Sequence, residues 1–219
     1  MPPGRVSQAI AVVTAIAWAL AWAGDATEWA AYTGGFIPAR VGDPGLAGMV
    51  PVWLTPLSAA LIHAGIVHLA FNMLTLVFCG RFVELAIGRW PTFGLYLLGA
   101  YTSAATQWLI EPGSTMPVVG ASGAISAVLG AYALLFSRQR VKPRFGIPAP
   151  VIHAAWLGAA WIGFQLLFGY AFATQGVGIA IGAHIGGFIT GLALAVPLAR
   201  RHQRARFQEL EAGSGRLDS

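Results

Sequence analysis

Six stretches of roughly twenty residues carry almost no charge, and they dictate what this chain can fold into. In lipid every backbone N–H and C=O must be satisfied within the protein, so an apolar run of about twenty residues has one ready solution, a membrane-crossing α-helix. The runs fall at approximately 7–24, 62–82, 91–110, 118–137, 150–172 and 177–199. Pro91, Pro112, Pro117, Pro143, Pro148 and Pro150 lie between them, where helices should break, and only Pro197 sits inside a run. Composition agrees: the 219 residues are 57% hydrophobic and 10% charged, and mean hydropathy is +0.68. A soluble domain carries about 25% charged residues. With one cysteine, Cys79, no intrachain disulfide can form.

The net charge of +5 could suggest a nucleic-acid partner, but its distribution argues otherwise. If six spans alternate, Arg5, Arg81, Arg89, Arg138, Arg140, Lys142, Arg144, Arg200, Arg201, Arg204, Arg206 and Arg216 all fall on one side. Arg40 alone falls on the other. This positive-inside asymmetry predicts an all-α, six-transmembrane-helix protein of the plasma membrane with both termini cytoplasmic. A cleaved leader ending at Ala21-Trp22-Ala23 is the competing reading of the first run, and it would leave the other five helices oriented the same way. Residues 1–200 form the expected membrane domain, and the basic, polar segment 201–219 an expected disordered cytoplasmic tail. The outer loop from Asp25 to about Leu61 is long, as functional or partly embedded loops are.

Polar residues at membrane depth are costly and point to function. His68 and Asn72, four apart on one helix face, follow His63 at the outer start of the second span. Ser122 sits in Gly120-Ala-Ser-Gly123 at the outer start of the fourth, and His184 in the outer half of the sixth. Spans two, four and six start on the same side. Asn72, Ser122 and His184 lie some four to ten positions inside their spans, roughly 6–15 Å below the outer surface. An amide, a hydroxyl and an imidazole are thus delivered to one layer. Histidine is the usual base for activating a serine near neutral pH, and His68, Asn72 and the Ser122 N–H are candidate donors to an oxyanion. The acids lie in loops, tails or span ends, so the expected machinery is a Ser122–His184 dyad rather than a triad. Ser122, Ser126 and Gly130, facing Gly187 and Gly191, supply the small residues that allow close helix approach.

The motifs His63-x4-His68-x3-Asn72, Gly120-Ala-Ser122-Gly123 and Ala183-His184-x2-Gly187-x3-Gly191 together resemble the rhomboid family of intramembrane serine proteases. That resemblance implies Ser122 as nucleophile, His184 as general base, His68 and Asn72 at the oxyanion site, and Gly187 as a helix-contact glycine. It also implies transmembrane-helix proteins as substrates, cut near the outer face through a water-filled cavity beside the fifth helix. Two positions depart from the family pattern. Trp53 is followed by Leu54 rather than the arginine often found there, and Ser126 stands where some members place a tyrosine against the catalytic histidine.

Plainer roles compete at each position. A serine in a glycine-rich membrane helix ordinarily packs; His68 and Asn72 could simply bond between helices; His63 fits a brace at the loop entry better than a substrate contact. His153 and His202 are expected to be bystanders. Trp156, Trp161, Phe164 and Phe168 are expected to face lipid or pack. Zinc is not expected, because His63 and His68 are five apart with no accompanying carboxylate. No other cofactor is implied. A non-catalytic relative that binds membrane clients is the alternative, although it would usually lack the serine or the histidine. A transporter would show broken helices in matching halves or charges within its spans.

Overall fold

The computed structural model describes residues 3–42, 48–136, 143, 145–172 and 180–214, and among these it is all-helical. Eight α-helices follow in order: α1 Arg5–Ala23, α2 Thr27–Gly34, α3 Thr55–Ala59, α4 Ile66–Ile87, α5 Arg89–Ile110, α6 Ser122–Leu135, α7 Ala149–Phe172 and α8 Ile181–Ser214. Each of the six apolar runs overlaps one helix, and the long loop between the first two contributes short α2 and α3. Three helical stretches, Arg5–Ala23, Ile66–Ile87 and Ile181–Glu209, are long and apolar enough to cross a membrane, and Ser122–Leu135 and Val151–Gly163 are shorter apolar helices. The outward face of α1 carries Val12, Val13, Ile16 and Leu20, all exposed. Lipid, unlike water, favours such a surface.

At the centre stands α6, packed by α4, α5, α7 and α8. Every residue from Ser122 to Ala131 is buried, as expected for a helix apolar all round. Glycines bring α8 against it. A Cβ at Gly187 would strike the Gly123 carbonyl oxygen, one at Gly191 the Ala127 carbonyl oxygen, and one at Gly130 the Phe188 carbonyl oxygen. The two helices therefore meet backbone to backbone. On an adjacent face of α8, the Thr190 hydroxyl donates to Thr102 of α5 at 2.8 Å.

The second run is shifted, α4 spanning Ile66–Ile87 where 62–82 is expected, and two further boundaries differ in ways that matter more. The fourth run was expected at 118–137, but α6 begins only at Ser122. Val118 pairs instead with Phe36 in an isolated antiparallel bridge, and Gly120 turns the chain with a φ of +114°. At 14 residues, α6 is only about 21 Å long. Ser122 thus opens its helix rather than lying a turn inside it. At the other end α8 continues through residues 201–214, expected to be disordered. Those positions are rich in strong helix formers, and extending an existing helix requires no new nucleus. His202 packs there against Gly88, at the turn between α4 and α5. Residues 215–219 lie outside the described residues, as do the basic positions Arg138, Arg140, Lys142 and Arg144.

The first helix is held by a carboxylate from the fourth. Glu84 accepts from the Val6 N–H at 3.2 Å, the Ser7 N–H at 2.7 Å and the Ser7 hydroxyl at 2.6 Å. Those amides are among the unpaired donors at the start of α1, where the helix dipole also favours negative charge. In the loop between α1 and α4, Arg40 donates to the Val50 carbonyl at 2.9 Å, bracing a segment where Trp53 is exposed.

Candidate active site

The turn entering α6 is built by residues from the outer loop and α4. The Gly120 N–H donates to the Ala59 carbonyl at 2.9 Å, and the Ala121 N–H points to His63 Nε2 at 3.4 Å. His63 is fully buried and meets His68 edge to face, with ring centroids 4.9 Å apart. Its contact is with the residue before Ser122. Gly120 is required twice over. Its positive φ disfavours a side chain, and the space a Cβ would occupy lies 2.7 Å from the His68 ring.

Because Ser122 is the first residue of α6, its N–H has no acceptor within the helix and lies at the positive end of the dipole. Its hydroxyl lies 2.8 Å from His184 Nε2, and both residues are buried. His184 is held in the first turn of α8. The preceding Ala183 N–H donates to Gln107 Oε1 at 3.3 Å, and the Gln107 amide donates to Glu111 at 3.1 Å. Gln107 escaped sequence reasoning; its signal was a lone amide near the outer end of the third run. Gly123 and Gly187 sit back to back beside the pair, with the Ser103 hydroxyl 2.7 Å and 2.8 Å from where their Cβ atoms would stand.

The remaining predicted residues gather less completely. His68 lies over Gly120, beside the serine turn. Asn72 is buried, but its amide donates to the His68 carbonyl at 3.1 Å, within α4, and its Oδ1 has no partner. Among the described residues no group of three His, Cys, Asp or Glu converges on one point. Trp156 is exposed on α7, whereas Trp161 is buried and touches the site. The side chains of Phe164 and Phe168 lie outside the described residues. Ser126, expected along the α6–α8 seam, turns instead toward α7: it accepts from Trp161 Nε1 at 2.9 Å and donates to the Ser122 carbonyl at 2.8 Å.

Fold and site define a class: an apolar helical protein with a buried serine and histidine at hydrogen-bonding distance, the arrangement a hydrolase needs. Residues 51–201 match the family model of the rhomboid domain, and the chain belongs to the rhomboid family, whose members include intramembrane proteases. It is 34% identical to "Rhomboid protease GluP" of Bacillus subtilis over 149 residues, 67% of this chain and 27% of that protein. It is 30% identical to "Rhomboid protease GlpG" of Klebsiella pneumoniae over 142 residues, 63% of this chain and 46% of that protein. Against "Rhomboid protein 1, mitochondrial" of Saccharomyces cerevisiae it is 28% identical over 165 residues, 71% of this chain and 45% of that protein. The matched region thus spans less than half the length of each of these relatives.

Proposed function

We propose that the chain is a serine endopeptidase of the plasma membrane, with six spans and both termini cytoplasmic, that hydrolyses a peptide bond in or beside a substrate's transmembrane segment. One observation carries this reading: the 2.8 Å approach of Ser122 Oγ to His184 Nε2 inside an apolar bundle. Ser122 Oγ attacks the scissile carbonyl as His184 Nε2 takes its proton. The resulting oxyanion draws on the free N–H of Ser122 at the α6 start and on His68, with the Asn72 amide recruited by rotating away from the His68 carbonyl. His184 then protonates the leaving amine, and the C–N bond breaks to leave an acyl-serine. His184 next deprotonates a water, which attacks the ester and releases Ser122. Membrane domain 1–200 does this work, with 201–219 on the cytoplasmic side.

The short α6 supports a cut near the extracytoplasmic face. Its inner end sits at the cytoplasmic boundary in this topology, and about 21 Å of helix in a core of about 30 Å leaves Ser122 about 10 Å below the outer surface. Water from that side has the shorter path. The test is cleavage of a single-span substrate in liposomes by wild type, Ser122→Ala and His184→Ala. Cleavage by wild type alone, with both variants folded, is the expected result. Cleavage by the folded serine variant, or binding of a broad substrate panel without cutting, would replace this reading with client binding.

A further inference from the structure

The hydrogen bond to Ser122 fixes one atom of the His184 imidazole but not the plane of its ring. A second contact is required to keep Nε2 aimed at the hydroxyl, because a near-attack geometry tolerates little rotation. The position four residues after the serine, where a tyrosine would have been suited to this task, is Ser126. Another helix supplies the ring. Trp161 of α7 meets His184 with ring centroids 6.4 Å apart and planes at 75°, within the range of favourable edge-to-face pairs.

The indole is itself fixed. Its Nε1–H donates to Ser126 Oγ, and Phe71 of α4 stacks on it with centroids 5.6 Å apart and planes 20° apart. The Ser126 hydroxyl uses its proton on the Ser122 carbonyl. A closed circuit therefore runs from the Ser122 backbone through Ser126 and Trp161 to His184, and back to the Ser122 hydroxyl. It joins α6, α7 and α8. Each member is buried: Ser126 is 0% exposed, His184 6% and Trp161 7%. An indole so enclosed presents almost no surface to a substrate, so its effect must pass through the imidazole.

We infer that Trp161, anchored by Ser126, is a positioning residue that holds the His184 ring in the orientation needed to take the Ser122 proton. This rests on the proposed dyad. Trp156 shares the helix but is exposed and stands outside the circuit.

The experiment uses the full chain in liposomes and two readouts. One is steady-state cleavage of a single-span substrate, and the other is the rate of covalent labelling of Ser122 by a fluorophosphonate, which requires no substrate binding. Trp161→Ala is expected to lower kcat and the labelling rate together by about two- to tenfold, the rate equivalent of one aromatic edge contact, with KM unchanged. Trp161→Phe, which keeps a ring edge but lacks the N–H that Ser126 accepts, should recover only part of the loss and behave like Ser126→Ala, and Trp156→Ala should change neither readout. If Trp161→Ala fails to fold, Ser126→Ala removes the anchor and leaves the ring, and a parallel fall in both readouts is again expected. A folded Trp161→Ala or Ser126→Ala enzyme with wild-type kcat and labelling rate overturns the inference while leaving the dyad intact. A wild-type chain that neither cuts nor labels, or one whose label survives Ser122→Ala, overturns the dyad and this inference with it.

Discussion

Replacing Gly187 by alanine adds one methyl group where the helices that carry Ser122 and His184 meet backbone to backbone, one turn from the imidazole. The new Cβ would point at the Gly123 carbonyl oxygen well inside the 3.0 Å floor that real Cβ contacts observe. Neither side can yield by rotating, since both partners are backbone. The helices must separate instead, and restoring an ordinary contact requires a shift on the order of 1 Å. His184 is one turn from Gly187 and moves with it. The Oγ–Nε2 separation, now 2.8 Å, would then pass the limit of about 3.2 Å for a useful hydrogen bond. A misplacement of that size costs about 10²-fold in rate, whereas overpacking costs about 1–3 kcal/mol of stability. The assay pairs cleavage of a single-span substrate with thermal unfolding, so that rate is expressed per folded molecule. Gly163→Ala is the control, because nothing lies within 4 Å of its added methyl. A folded Gly187→Ala enzyme cutting within a factor of two of wild type, as judged against the scale of that estimate, would refute the claim that this glycine sets the dyad distance.

Gly120→Ala should nearly abolish fluorophosphonate labelling, because positive φ and the His68 ring both oppose a side chain there; the strain is about 1–3 kcal/mol, and labelling at the wild-type rate would exclude it. Glu84→Gln, which removes the charge from the acceptor of three donors at the start of α1, should lower thermal stability by about 1–2 kcal/mol and leave kcat alone. An unchanged unfolding midpoint, measured at fixed lipid composition, would show that this contact contributes nothing.

Much of the fold was legible because lipid imposes a simple rule: a run of apolar residues bounded by proline and arginine becomes a helix. The beginning of α6 was not. Residues 118–121 look like helix in an apolar context, and what unwinds them is non-local, namely the Phe36 bridge, the Ala59 carbonyl and the His63 ring. The extension of α8 was missed for the opposite reason, since a polar sequence without an apolar stripe reads as tail until a preceding helix nucleates it. Of the site, equal depth pointed to Asn72, Ser122 and His184, and of these the structure puts Ser122 and His184 at hydrogen-bonding distance. Depth could not place the Asn72 amide, which bonds its own helix, or Gln107, whose partner is a backbone N–H 76 positions away. Trp161 was hidden by abundance, because an aromatic residue in a membrane helix is unremarkable until its neighbours are known.

The length of α8 has a mechanical consequence. Its 34 residues make a rod of about 51 Å, against a hydrocarbon core of about 30 Å. His184 sits in the first turn at one end, and the arginines at 200, 201, 204 and 206 lie beyond the middle. Whatever grips the polar end, whether a surface, a tether or an immobilised tag, therefore holds a lever whose other end carries the imidazole. Pro197 removes one rung of the backbone ladder between the two ends and is the natural flexure. Torque applied below it is absorbed there before it reaches the site, so a single-molecule pulling geometry anchored beyond residue 200 would load that joint first.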